Sequence, residues 1–150
     1  MFGDAPYLRP GLAKPAPSPD GLDRDHWDGL REERLLLQRC AGCGRWQWGP
    51  EFVCHRCHSF DLRYEETAAE GTIYSHQRVW HPVHPALAEQ GPYVIVLVEL
   101  PHADSVRLIG NLLGDPMQPL EIGAAVSGVF EHHAGDDPAH TLLQWVVASN

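Results

Sequence analysis

Two Cys-x-x-Cys pairs, Cys40/Cys43 and Cys54/Cys57, lie within the stretch "RCAGCGRWQWGPEFVCHRCH" and account for every cysteine of the chain. No other feature restricts the fold as strongly. In a CxxC turn the two sulfurs and the intervening amides converge on one point, and two such knuckles supply the four thiolates that tetrahedral zinc takes. Gly44, directly after the first pair, suits a knuckle that needs a left-handed residue. Disulfides would require an oxidising compartment, yet Met1 opens no apolar signal region, which predicts a reduced, cytoplasmic chain. A redox CxxC normally stands alone at a helix start, and this one has a twin. The reading is therefore zinc, with iron in a rubredoxin-like site as the alternative. Four sulfurs close the coordination shell, so the metal is expected to be structural rather than catalytic. His55 and His58, beside the ligands, read as exposed loop histidines.

Charge narrows the partners. The net charge of −9 becomes more negative by about two when four thiolates surround one divalent ion. Residues 24–63 carry seven arginines against six carboxylates, whereas from Tyr64 onward Arg78 and Arg107 face eleven carboxylates. The chain is balanced around the cysteines and acidic beyond them. No apolar run approaches the roughly 18 residues of a membrane span.

Along the 150 residues three parts are expected. Residues 1–22 are proline-rich and aperiodic, a tail or linker. Residues 23–65 hold a short surface helix in "RDHWDGLREERL", capped by Asp23 and presenting Trp27, Leu30 and Arg34 along one face, followed by a strand "LLLQRC" and the cysteine ribbon. Residues 66–150 hold five short strands separated by Pro-, Gly- and Asp-rich turns. These are "GTIYSHQRVWH" with an uneven, bulge-like alternation, "YVIVLVEL" as a strand buried on both faces, then residues 105–113, 124–133 and 141–149. That spacing predicts a small closed barrel. The fold expected is mainly β: N-terminal helix, zinc ribbon, five-stranded barrel.

The segments "DHWDGLREERLLLQRCAGCG", "CHRCHSFDL", "EGTIYSHQRVWHPVHP", "GPYVIVLVEL" and "LEIGAAVSGVFE" together resemble the rubredoxin-like zinc-ribbon plus OB-fold family of acyl-CoA-associated proteins, over residues 25–147. Where many members have a proline after the third cysteine, this chain has His55. The resemblance implies a partner: a thiolase-like, lipid-transfer-type subunit that makes or breaks carbon–carbon bonds in acyl-CoA substrates. Its most specific version is a steroid side-chain aldolase, in which the partner performs a retro-aldol step on a β-hydroxyacyl-CoA and the ribbon/barrel chain assembles and stabilises it. Members are also fused to an enoyl-CoA hydratase domain, and the proline-rich tail would suit a linker from such a domain upstream.

An accessory role agrees with the residues read by themselves. No GxSxG, HExxH or phosphate loop occurs, and no cysteine is left over as a nucleophile. His81 and His84 in "WHPVHP", with Glu89 or Glu99 as orienting partner, are the nearest approach to a general base, and a proline- and histidine-rich loop is the plainer reading. A nucleic-acid role would need a basic, aromatic-lined barrel face, and this barrel is acidic. Binding of acyl-CoA by the chain itself is the other alternative, with Arg34, Arg39, Arg45 and Arg56 as the phosphate-binding candidates. For partner binding, "GRWQWGPEF" places Trp46 and Trp48 on one face of an extended segment beside Arg45. Either these rings pack on the helix through Trp27 and Leu30, or a tryptophan anchors the partner.

Overall fold

The computed structural model describes residues 16–18, 20–81 and 91–148. Most of the expected tail, together with Lys14, His84 and Glu89, lies outside the described residues.

The helix α1 (Arg24–Arg31) is shorter than the pattern predicts. Asp23 precedes it without a side-chain capping bond; its carboxylate instead accepts a hydrogen bond from Trp27 Nε1 at 2.7 Å. The helix stops because Glu33 turns left-handed (φ 58°), which leaves Arg34 beyond the helix and exposed. The buried face is His26, Gly29 and Leu30. Gly29 is required there: a Cβ would lie 2.7 Å from Leu36 Cγ and 2.9 Å from the Arg34 carbonyl.

Next come β1 (Leu35–Cys40), β2 (Trp46–Gln47) and β3 (Leu62–Thr67), in the antiparallel order β2-β1-β3. This small sheet carries the knuckles at one end. The second sheet contains β4 (Glu70–Val79), β5 (Tyr93–Leu100), β6 (Val106–Asn111), β7 (Ala125–His133) and β8 (His140–Val147), in the order β6-β5-β4-β7-β8. Its edges meet: Leu112 bridges Trp145 in parallel, and the Leu113 amide donates to the Trp145 carbonyl at 2.8 Å. The result is a nearly closed five-stranded barrel. The uneven alternation in β4 is a register shift between Ile73 and Ser75.

The expectation for β5 changes as well. β5 is not buried on both faces: Val94, Val96, Val98 and Leu100 are buried, while Tyr93, Ile95, Leu97 and Glu99 are half-buried. A small barrel has one interior, so a strand in it shows its other face to partial cover only, however apolar the run.

Ribbon and barrel share one core. Leu30, Leu35 and Leu37 join Ile73, Val96, Leu108 and Trp145 in a single apolar cluster. At the rim of this contact the Trp46 amide donates to Asp104 at 2.9 Å, Arg45 pairs with the same carboxylate at 3.5 Å, and His132 Nε2 lies 3.0 Å from Glu33.

Candidate metal centre and partner surface

The two knuckles are built alike. The Gly44 amide donates to the Cys40 carbonyl at 2.8 Å and the His58 amide to the Cys54 carbonyl at 3.0 Å. Both closing residues are left-handed, Gly44 at φ 74° and His58 at φ 62°. The Cys40 amide donates to the Arg45 carbonyl and the Cys54 amide to the Ser59 carbonyl, each at 2.9 Å, which closes each loop once more. His58 therefore acts through its backbone, and His55 and His58 are exposed as expected.

One sulfur from each cysteine lies within 4.8 Å of the other three. Cys40 and Cys57 Sγ are 3.5 Å apart, and Cys43 and Cys54 Sγ 3.7 Å. A tetrahedral zinc with bonds of about 2.3 Å sets its sulfurs about 3.8 Å apart, so the geometry fits the ion. Cys40 and Cys54 are buried, Cys43 and Cys57 exposed. The amides of Cys57 and Arg56 hold the Cys54 thiol down at about 6. At Cys57 the Ser59 amide pulls the same way but is outweighed by the neighbouring sulfurs and by burial, which push it up to about 12. Four thiolates so close together need a cation between them.

The excursion between knuckles is held by two buried glutamines. Gln38 on β1 accepts from the Glu51 amide and donates to the Glu51 carbonyl, both at 3.0 Å. Gln47 donates to Gln38 Oε1 at 3.1 Å and accepts from the His55 amide at 3.2 Å. Sequence reading passed over these residues. The signal was the period of two in Arg45-Trp46-Gln47-Trp48, which sends Gln47 to the side opposite the tryptophans.

Trp46 and Trp48 are half-buried and pack against the apolar core. The Arg39 guanidinium lies 5.0 Å over the Trp46 ring, and the Trp48 ring is 4.2 Å from that of His26. Trp48, Trp27, Leu108, Ile109 and Leu142 line an open, mainly apolar groove of about 330 Å³ between α1, the ribbon and the barrel. Ile109 on its edge is 72% exposed. Phe52, the third aromatic of the excursion, is 73% exposed.

The candidates for other chemistry are dispersed. His81 is exposed; Glu99 sits at the far end of β5, opposite Thr72, and pairs with Arg107 at 2.9 Å. The other barrel arginine, Arg78, donates to the carbonyls of Pro116 and Gln118 at 2.8 and 2.7 Å. Three arginines considered for CoA phosphates already face carboxylates: Arg34 with Glu66, Arg39 with Glu65, and Arg45 with Asp104.

A four-sulfur ribbon docked on a nearly closed five-stranded barrel defines the class: a zinc-ribbon/OB-fold protein with a structural zinc site. The chain belongs to the ChsH2 family, its residues 27–63 matching the family's rubredoxin-like zinc ribbon domain and residues 64–131 its C-terminal OB-fold domain. It is similar to a chain of the solved Ltp2–ChsH2(DUF35) aldolase, with 34% identity and a TM-score of 0.73 over 91% of this chain and 100% of that one. It is 36% identical over 121 residues to the probable enoyl-CoA hydratase alpha subunit of Thermomonospora curvata, covering 79% of this chain and 36% of that relative. The chain thus spans about a third of that relative's length. A DUF35-family structure of unknown function from Sulfolobus solfataricus shares the fold, with a TM-score of 0.61 and 17% identity over 86% of this chain and 87% of that one. Among the described residues no helix is long and apolar enough to cross a membrane.

Proposed function

We propose that this chain is a non-catalytic accessory subunit that binds and stabilises a thiolase-like acyl-CoA enzyme, a retro-aldolase acting on a β-hydroxyacyl-CoA. The observation that carries this reading is the similarity to the Ltp2–ChsH2 aldolase chain, which extends over the whole of that chain. Cys40, Cys43, Cys54 and Cys57 hold one zinc, whose chemistry here is to clip the ribbon, since four protein sulfurs leave no position for substrate. The acyl-CoA is held by the partner. The greater length of the Thermomonospora relative supports a hydratase-like domain in the same assembly.

The partner docks on the ribbon side, with Trp46 and Trp48 as anchors. Trp48 supports this by walling the apolar groove beside exposed Ile109. Arg45 contributes by fixing the loop through Asp104. The test is co-expression with a thiolase-like subunit, followed by co-elution and retro-aldol turnover of a β-hydroxyacyl-CoA. The expected result is a complex that turns over while this chain alone does not. Trp48→Ala should weaken the complex by about 2 kcal/mol or more, roughly 30-fold, with zinc content unchanged. Turnover by this chain alone, or a partner equally active and soluble without it, would overturn the reading.

A further inference from the structure

The ribbon carries a second concavity, apart from the Trp48 groove. It has a volume of about 430 Å³ and shares no described lining residue with that groove. Half-buried Leu62 and Tyr64 line it from β3, and Phe52 and Phe60 line it from the loops on either side of the second knuckle. Among the described residues these two rings are the most exposed large apolar side chains, Phe60 at 80% and Phe52 at 73%.

Neither ring hangs on loose backbone. The amide and the carbonyl of Glu51, next to Phe52, are both held by Gln38. The Phe60 carbonyl accepts from the Leu62 amide at 3.1 Å. The flanking Ser59 and Asp61 carbonyls accept from the Cys54 and Ala41 amides, each at 2.9 Å. Two rings held out on braced backbone cost the free chain their burial, and they spare a partner the entropy of ordering them. Exposed apolar surface of this kind marks an interaction site.

Charge selects the occupant. Asp20, Asp25 and Glu51 line the same concavity, and Arg24 is the one cation among its described lining residues. Arg24 lies 3.5 Å from Asp25, so three carboxylates against one guanidinium leave a surplus of two negative charges. The Tyr64 phenol, which donates to the Leu22 carbonyl at 2.9 Å, registers the field. It is pushed up to about 12, by burial first and then by the charges of Asp23 and Asp25. Nucleic acid and anionic lipid are repelled by such a lining. A second copy of a chain with net charge −9 is disfavoured too. Arginine suits it, because a guanidinium forks onto carboxylates, stacks on aromatic rings and is more weakly hydrated than an ammonium.

We propose that this concavity docks a segment of a protein partner in which an arginine stands between apolar residues. The guanidinium meets Asp25 and Glu51 beside the phenylalanine rings, and its apolar neighbours cover Phe52, Phe60 and Leu62. This surface is additional to the Trp48 groove and does not depend on which enzyme fills that groove.

The test titrates the full zinc-loaded chain with the blocked peptide Gly-Leu-Arg-Leu-Gly and follows the aromatic ¹³C resonances of Phe52 and Phe60. Saturable shifts of both rings at submillimolar peptide are expected. Binding should weaken as ionic strength rises from about 0.01 M to about 0.15 M, where the screening length falls from about 30 to about 8 Å. Phe52→Ser and Phe60→Ser should each weaken it by about fivefold or more, and Glu51→Gln should weaken it and flatten the salt dependence. Both phenylalanines are exposed, so the variants should fold, which unchanged tryptophan dichroism checks; the wild-type titration stands without them. Peptides with glutamate for the arginine, or serine for both leucines, should not bind at the same concentration. No saturable shift at millimolar peptide overturns the proposal. So does equal binding of the glutamate peptide, or binding that persists in both folded serine variants. Ring resonances that move instead with the chain's own concentration, or with phosphatidylserine vesicles, overturn it as well.

Discussion

Acidification should loosen the seam between helix and ribbon through one residue, His26. Its ring is buried at 4% exposure, between Trp27 at 5.3 Å and Trp48 at 4.2 Å. Nδ1 donates to the Leu36 carbonyl at 2.9 Å. Burial is the main cause that pushes its pKa below the usual 6.5; the Leu36 bond and the Asp23 charge oppose it. The folded protein thus keeps His26 neutral where the unfolded chain protonates. The unfolded state binds more protons below about pH 6.5, so stability is full above that value and falls as pH drops towards the folded pKa. The slope cannot exceed one proton, about 1.4 kcal/mol per pH unit, so going from pH 7.5 to 5.5 removes at most about 1.4 kcal/mol through this group. Urea unfolding followed by tryptophan fluorescence measures it in the wild type and in His26→Gln, whose amide can still reach the Leu36 carbonyl. Contributions from groups other than residue 26 are common to both proteins and cancel in the difference. At pH 7.5 the variant should be less stable by about 1–3 kcal/mol, from the lost ring contacts. The gap should narrow towards pH 5.5. A gap that stays constant or widens would refute the reasoning, since it would mean that protonation of His26 costs the fold nothing.

Removing the cysteine-bound metal should be more severe. A structural zinc is worth on the order of 10 kcal/mol in zinc-finger peptides, comparable to the whole stability of a domain; Cys54→Ser or strong chelation should therefore unravel the ribbon, seen as lost near-ultraviolet tryptophan dichroism. Folded, partner-binding protein with less than about half an equivalent of metal at the cysteines would contradict this. Gly71→Ala tests the barrel: the new Cβ would stand 2.4 Å from the Glu99 carbonyl and 2.7 Å from Val98 Cγ1. Overpacking of this kind costs about 1–3 kcal/mol, so calorimetry should show a melting point lower by several degrees, and an unchanged one would mean that β4 and β5 separate easily.

Much of this protein is legible without coordinates because it rests on local rules. Cys40, Cys43, Cys54 and Cys57 declare a metal site through spacing alone, since a CxxC turn brings its own two sulfurs together whatever surrounds it. The strands from β4 to β8 are short apolar runs between turn residues, and even the bulge near Tyr74 shows as a break in alternation. Other features depend on which face meets which. The run 93–100 reads as apolar throughout, yet barrel closure buries only every second side chain. Trp46 and Trp48 share a face in the sequence pattern, but the β1–β2 register sets Trp46 beside Arg39, and packing against α1 and the barrel sets Trp48 beside His26 and the groove. His133 and His140 lie seven positions apart. They become opposed, stacked and buried because the β7–β8 register pairs them across the sheet. Sequence determines what a turn can do by itself; contacts between residues on separate strands are decided by the register and closure of the barrel, which no single stretch of chain encodes.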